Sequence, residues 1–190
     1  AAASASTRHL TAGIALADSW SVDGHKTLNT PYDSGIVLCK DRAAMVSALQ
    51  ASGSYLQFSD ARDNMLYAPE MSRRARGVDM WALLKTLGRR GVDTMIAQLH
   101  DRAKLFAELL PQHGFRVLYD VVFNQVVVGC DTPELTQATL AQIQQDGVCW
   151  CSGSQWQDEP IIRVSVCSWA TTEDDVKLSV EAFAQAYYTV

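Results

Sequence analysis

From Gly114 to the end of the chain, strand-length apolar runs and helix-period stripes follow one another in a fixed order, and that order restricts the fold more than any single residue does. Phe115 to Tyr119 and Gln125 to Cys130 read as strands, and Pro133 to Gln145 as a helix. Val148 to Cys151 and Ile161 to Cys167 read as two more strands, and Thr172 to Tyr188 as a closing helix. Strand, strand, helix, repeated, predicts a small α+β unit with helices on one face of a mainly antiparallel sheet. Pro133 suits the first turn of its helix, where its missing N–H is no loss, and Thr172-Glu173-Asp174-Asp175 puts acids where the helix dipole favours them.

Two helical stripes precede this unit and bridge it to the first half of the chain. One runs from Ser72 through Ala75, Val78, Met80, Trp81, Leu83, Leu84 and Leu87 and is ended by Gly88. The other opens at Gly91-Val92-Asp93, continues through Met95, Ile96, Leu99, Ala103, Phe106, Leu109 and Leu110, and stops at Pro111 and Gly114. Further upstream, Leu10 to Asp18 is short and apolar, and Ala17 to Val22 alternates as a strand that delivers its end to a loop at Asp23-Gly24-His25-Lys26. After the turn-forming stretch Asn29 to Ser34, the continuous apolar run Gly35 to Cys39 predicts a buried strand. Asp41 is placed to cap a helix over Arg42 to Leu49, which Ser52-Gly53-Ser54 would stop. Residues 53–69 are polar and without period, with Tyr55, Phe58, Met65 and Tyr67 interleaved, and a loop of that length is functional or mobile.

Composition excludes several classes of partner. Nearly half of the 190 residues are apolar and 19% are charged, which suffices for a buried core. The net charge of -5 comes without a basic stripe, so nucleic acid is not an expected partner. No run approaches the ~20 apolar residues of a membrane-spanning helix, so no membrane association is expected. The opening Ala-Ala-Ala-Ser-Ala-Ser-Thr lacks the basic start and apolar core of a signal peptide. Five cysteines, Cys39, Cys130, Cys149, Cys151 and Cys167, form no CxxC pair and read as buried reduced thiols, which suggests the cytoplasm. Cys149 and Cys151 would fall on one face of a strand as ordinary packing, so no metal is expected.

Asp18-Ser19-Trp20-Ser21-Val22-Asp23-Gly24-His25-Lys26-Thr27, then Tyr32-Asp33-Ser34-Gly35 and a strand, resembles the cofactor-lysine segment of the group II pyridoxal-phosphate-dependent amino-acid decarboxylases. The resemblance implies that Lys26 is the catalytic lysine that forms an imine with the aldehyde of pyridoxal 5'-phosphate. That chemistry needs a primary amine, whose ordinary pKa of ~10.4 must be lowered locally. His25 would contact the cofactor phosphate, with Asp23 beside it, although many relatives carry asparagine there and a carboxylate suits a phosphate poorly. A second matching segment, Pro69-Glu70-Met71-Ser72-Arg73-Arg74-Ala75-Arg76-Gly77-Val78-Asp79-Met80-Trp81, puts Ser72 near cofactor phosphate or substrate. Arg73, Arg74 and Arg76 are open to two readings, a solvated or ion-paired helix face and a subunit interface. Relatives often carry a proton-donating tyrosine in the preceding loop; Tyr55 and Tyr67 are candidates, but Asn64 occupies the expected position, which leaves room for an aldehyde-forming outcome.

The third segment, Ile161-Ile162-Arg163-Val164-Ser165-Val166-Cys167 followed by Ser168-Trp169-Ala170-Thr171-Thr172-Glu173-Asp174-Asp175, is similar to the family's C-terminal signature. An arginine inside an apolar strand is costly unless paired, so Arg163 either binds the substrate carboxylate or pairs with a buried acid. Asn124-Gln125 also matches and reads as the start of a strand. The fold implied is α/β, the C-terminal part of a fold-type-I large domain (1–78, with a mobile loop at about 53–69) followed by bridging helices and a small α+β C-terminal domain (79–190). The activity implied is decarboxylation of an L-amino acid by a homodimer. The family's ring-protonating aspartate, its stacked aromatic and its phosphate cup would precede Ala1, so the chain is expected to be a piece of the site that does not decarboxylate alone. An aminotransferase-like reaction and a non-catalytic module are the alternatives.

Overall fold

The computed structural model describes residues 1–51, 53–57 and 61–190. Two short 3-10 turns, Arg8–Thr11 and Ile14–Leu16, lead into the first strand. β1 (Ser19–Asp23) and β2 (Gly35–Cys39) pair antiparallel, with Trp20 opposite Leu38 and Asp23 opposite Gly35. The expectation that Gly35 to Cys39 is buried is corrected: Val37 and Leu38 are exposed, and only Ile36 is partly covered. A continuous apolar run signals covered faces, but among the described residues no further strand joins this ladder.

α1 (Arg42–Leu49) starts as expected, with the Asp41 carboxylate accepting from the Ala44 N–H at 3.0 Å. Its predicted stop at Ser52 and the predicted loop residue Phe58 lie outside the described residues. Within the predicted loop, Asn64–Tyr67 forms a 3-10 turn that buries Leu66.

α2 (Arg76–Leu109) begins four residues later than Ser72. Side chains hold the approach out of helical form: Arg73 donates to the carbonyls of Glu70, Met71 and Asn64, and Arg74 to the carbonyl of Tyr32. Gly88, at φ 59° and ψ -175°, kinks the helix, which resumes at once rather than at Gly91. Beyond the kink Val92, Met95, Ile96, Leu99, Ala103 and Phe106 are buried; before it Val78, Trp81, Leu84 and Leu87 are exposed. Leu110–His113 adds a 3-10 turn that Gly114 ends in the left-handed region, as expected.

The second sheet holds β3 (Arg116–Val117), β4 (Gln125–Gly129), β5 (Ser152–Trp156) and β6 (Glu159–Ser165), in the order β3-β4-β6-β5 with every pair antiparallel. α3 (Pro133–Asp146) and α4 (Glu173–Thr189) pack with α2 against it. Val126, Val128, Ile162 and Val164 meet Leu99, Phe106, Ile143, Val176, Val180 and Phe183 in one core, each large side chain contributing about 1.5–3 kcal/mol. The strand expected at Val148 to Cys151 is absent. The Gln144 amide donates to the Cys151 carbonyl at 2.9 Å, and pairing starts one residue later in a polar edge strand whose composition gives no apolar signal. α4 has a full capping box: Asp175 N–H donates to Thr172 Oγ1 (3.1 Å) and Thr172 N–H to Asp175 Oδ2 (2.8 Å).

All five cysteines are free, but only Cys130 and Cys151 are buried; Cys149 and Cys167 are half-buried, and Cys39 is exposed at the end of β2. Among the described residues, no three His, Cys, Asp or Glu side chains group as metal ligands and no helix is long and apolar enough to cross a membrane.

Candidate functional site

β1 hands the chain to a tight turn whose backbone bonds to itself. The Lys26 N–H donates to the Asp23 carbonyl (3.2 Å), Asn29 N–H to Lys26 (2.9 Å), Thr30 N–H to Gly24 (3.1 Å) and His25 N–H to Ser34 (3.2 Å). The turn lies directly on α2: a Cβ on Gly24 would stand 2.5 Å from Met80 Cε and 2.8 Å from Thr30 Oγ1, so a larger residue there would need these side chains to shift. Thr30 and Ser34 are buried beneath it, and among the described residues Thr30 Oγ1 has no hydrogen-bond partner.

Lys26 and Asp23 meet on this frame. Lys26 Nζ is 2.6 Å from Asp23 Oδ2, with the side chains 62% and 47% exposed. The hydrogen bond and charge of Asp23 raise the amine's pKa, and Lys26 in turn lowers that of the carboxyl. His25 Nδ1 lies 3.0 Å from the Ser34 carbonyl, and its ring centroid 4.0 Å from that of Tyr32. A carbonyl only accepts, so Nδ1 carries a proton and Nε2 is the nitrogen left to face a ligand.

Asp23 and Ser72 line one cleft of about 1380 Å³, together with Asn64, Arg73, Arg74 and Arg76. His25 and Lys26 are outside its lining, on the turn beyond Asp23. Arg163 is on β6, where it is exposed rather than buried, and its Nη2 donates to Ser152 Oγ on β5 at 3.2 Å. The burial cost that suggested a partner for it is therefore absent. Of the arginines before and at the start of α2, Arg76 grips Asp33 with two donors (2.6 and 3.2 Å), and Arg74 pairs with Asp79 at 3.1 Å. Tyr55 is exposed, whereas the Tyr67 hydroxyl accepts from Arg42 Nε at 2.5 Å.

Sequence reasoning passed over Asn29 and Asp33. Asn29 sits at φ 54° in the same turn and bonds to the β6–α4 connection; Asp33 fixes the chain to Arg76. The density of turn formers from Asn29 to Ser34 was the available signal, but it names no partner.

The group available for pyridoxal phosphate is chemically suitable. An exposed primary amine on a closed strand-end turn can reach an aldehyde, an imidazole nitrogen stands next to it in sequence, and an unpartnered buried hydroxyl lies under the turn. Asp23 departs from the expected arrangement, since its carboxylate bonds to the amine itself.

Residues 2–129 match the profile of the pyridoxal-dependent decarboxylase conserved domain. The chain is 33% identical over 105 residues to aspartate 1-decarboxylase of Aliivibrio fischeri, covering 55% of this chain and 19% of that protein. It is 27% identical over 184 residues to the aromatic-L-amino-acid decarboxylase of Drosophila lebanonensis, covering 94% of this chain and 46% of that one. The chain thus spans less than half the length of these curated relatives. In structure it resembles Oryza sativa TDC, solved with PLP and tryptamine, at a TM-score of 0.89 and 20% identity, over 98% of this chain and 42% of that one; the likeness establishes a shared fold.

Proposed function

The chain belongs to the pyridoxal-dependent decarboxylase family, and from that membership we propose that the whole protein removes carbon dioxide from an L-amino acid, with Lys26 as the residue that holds pyridoxal phosphate. The observation that carries this assignment is the exposed Lys26 amine on the self-bonded turn at the end of β1, inside the matched segment. When bound, the cofactor supplies an electron sink for the pair left by the departing carboxylate.

The chain's own residues have distinct tasks in this proposal. Lys26 would hold the cofactor through its side-chain nitrogen once deprotonated, and Asp23, 2.6 Å away, keeps the amine's proton in place until the pair is broken. His25 presents Nε2 to the phosphate, which it can donate to only as a doubly protonated ring because Nδ1 is bonded to Ser34. Ser72, on the wall of the cleft, offers a hydroxyl to phosphate or substrate. Arg163 is proposed for the substrate carboxylate, which its planar fork suits.

A homodimer is proposed for the whole protein, supported by the exposed apolar residues Val78, Trp81, Leu84 and Leu87 on the first part of α2. The division into residues 1–78 and 79–190 and residence in the cytoplasm belong to the same proposal, the latter on five free thiols.

The test is turnover by the whole protein, loaded with pyridoxal phosphate and offered a panel of L-amino acids. Carbon dioxide and the matching amine are expected, and Lys26→Ala is expected to stop both. Turnover that yields a keto acid without carbon dioxide overturns the proposal. Asn64, where relatives often carry a proton-donating tyrosine, favours one second reading, in which oxygen and water are consumed and aldehyde, ammonia, carbon dioxide and hydrogen peroxide appear instead of amine.

A further inference from the structure

Asn29 joins two parts of the chain that are far apart in sequence. Its Nδ2 donates to the carbonyl of Cys167 at 2.8 Å and faces the carbonyls of Lys26 and Thr27, each at 3.2 Å. Its Oδ1 accepts the backbone N–H of Trp169 at 3.1 Å. Only one orientation of the amide satisfies both sides, because carbonyls accept and the N–H donates. The residue stands at φ 54°, which asparagine tolerates better than most side chains, and so both of its amide groups reach across to the segment after β6. Leu28, next to it, packs against the core of the second sheet. The loop from Ser168 to Thr172 is ordered by its own bonds, Ala170 N–H to Ser168 Oγ and Thr171 N–H to Ser168 carbonyl, before the capping box of α4.

We propose that Asn29 is a positioning residue: its amide clamps the Lys26 turn to the Cys167–Trp169 segment, so that the β6–α4 connection fixes where the lysine stands. The role in catalysis rests on Lys26 being the cofactor lysine; the clamp itself does not. The chemistry calls for such a device because Lys26 is exposed and long, and its side chain is held by an exposed ion pair with Asp23. Holding the backbone directly after the Lys26 side chain, at the carbonyls of Lys26 and Thr27, limits where its nitrogen can reach.

Asn29→Gly separates the clamp from the turn. Glycine adopts φ 54° without strain, so a residue needed only for backbone shape is replaced without loss, whereas the four amide contacts disappear. Two readouts are taken on the whole protein: hydrogen exchange of the peptide containing Trp169, measured without cofactor, and the rate at which borohydride fixes pyridoxal phosphate to Lys26. The expected result is exchange at Trp169 faster by about five- to tenfold, as for one lost hydrogen bond, with slower fixation at Lys26 and a melting temperature lowered by no more than about 4 °C. Unchanged exchange at Trp169 overturns the clamp. Faster exchange with unchanged fixation overturns the positioning role. If the unsubstituted protein is not labelled at Lys26, the cofactor assignment and the positioning role both fall, and the exchange result still decides whether the clamp exists.

Discussion

The Asp23–Lys26 pair is the point at which charge and chemistry conflict. An amine held in its charged form by a carboxylate at 2.6 Å is a poor nucleophile, so the free chain favours the state that does not react. Its pH dependence has a definite sign. Lys26 is raised in the folded chain, so its contribution to stability is complete below ~10.4 and is lost as pH rises through the higher folded value. Asp23 is lowered, so its contribution is present above its ordinary value of 3.8 and is lost as pH falls through the folded one. Both groups are exposed, and salt screens the pair. Asp23→Asn is expected to release the amine, moving the pH profile of pyridoxal phosphate fixation at Lys26 to lower pH. An unmoved profile would mean that the pair does not control the amine. The turn that carries residues 23, 25 and 26 was legible in the sequence because its backbone bonds are local to one strand end. Asn29 was not, because its partners Cys167 and Trp169 are about 140 positions away and no pattern in either segment points to the other.

At the scale of elements, helix starts were read best where a side chain makes the cap. Asp41 and Thr172 do so, and both helices begin at the next residue, whereas the start expected at Ser72 moved to Arg76 because guanidinium groups bond the preceding carbonyls. The shift of β5 to Ser152–Trp156 has a related cause: an exposed edge strand needs no apolar residues, and the apolar Val148 to Cys151 segment instead buries Cys151, whose thiol is pushed up to about 12 by that burial. Gly88 is the sharpest single requirement in α2. At φ 59° and ψ -175° it occupies a region essentially reserved for glycine, although open space surrounds the position where a Cβ would be. Gly88→Ala is therefore expected to lower stability by about 1–3 kcal/mol through backbone strain alone, read from denaturant unfolding. A neutral result would show that α2 runs through the position as a straight helix.

Across the whole molecule, burial is uneven. The sheet of β3, β4, β6 and β5 has a continuous core with α2, α3 and α4, while β2 and the first part of α2 leave apolar side chains exposed. The order of strands and helices after Gly114 revealed the first of these regions, because local periodicity and a closed core agree there. It misjudged β2, because a run such as Gly35 to Cys39 reports the burial a strand is built for and not what this chain supplies. The exposed lysine turn lies between these regions, tied to α2 by Arg76–Asp33 and to the β6–α4 connection by Asn29. The central claim is that Lys26 holds the cofactor, and peptide mapping after borohydride reduction of the whole protein with pyridoxal phosphate tests it most directly. One reduced adduct is expected, on Lys26, and its loss is expected in Lys26→Ala; an adduct that forms on another lysine, with Lys26 unmodified, would contradict the account.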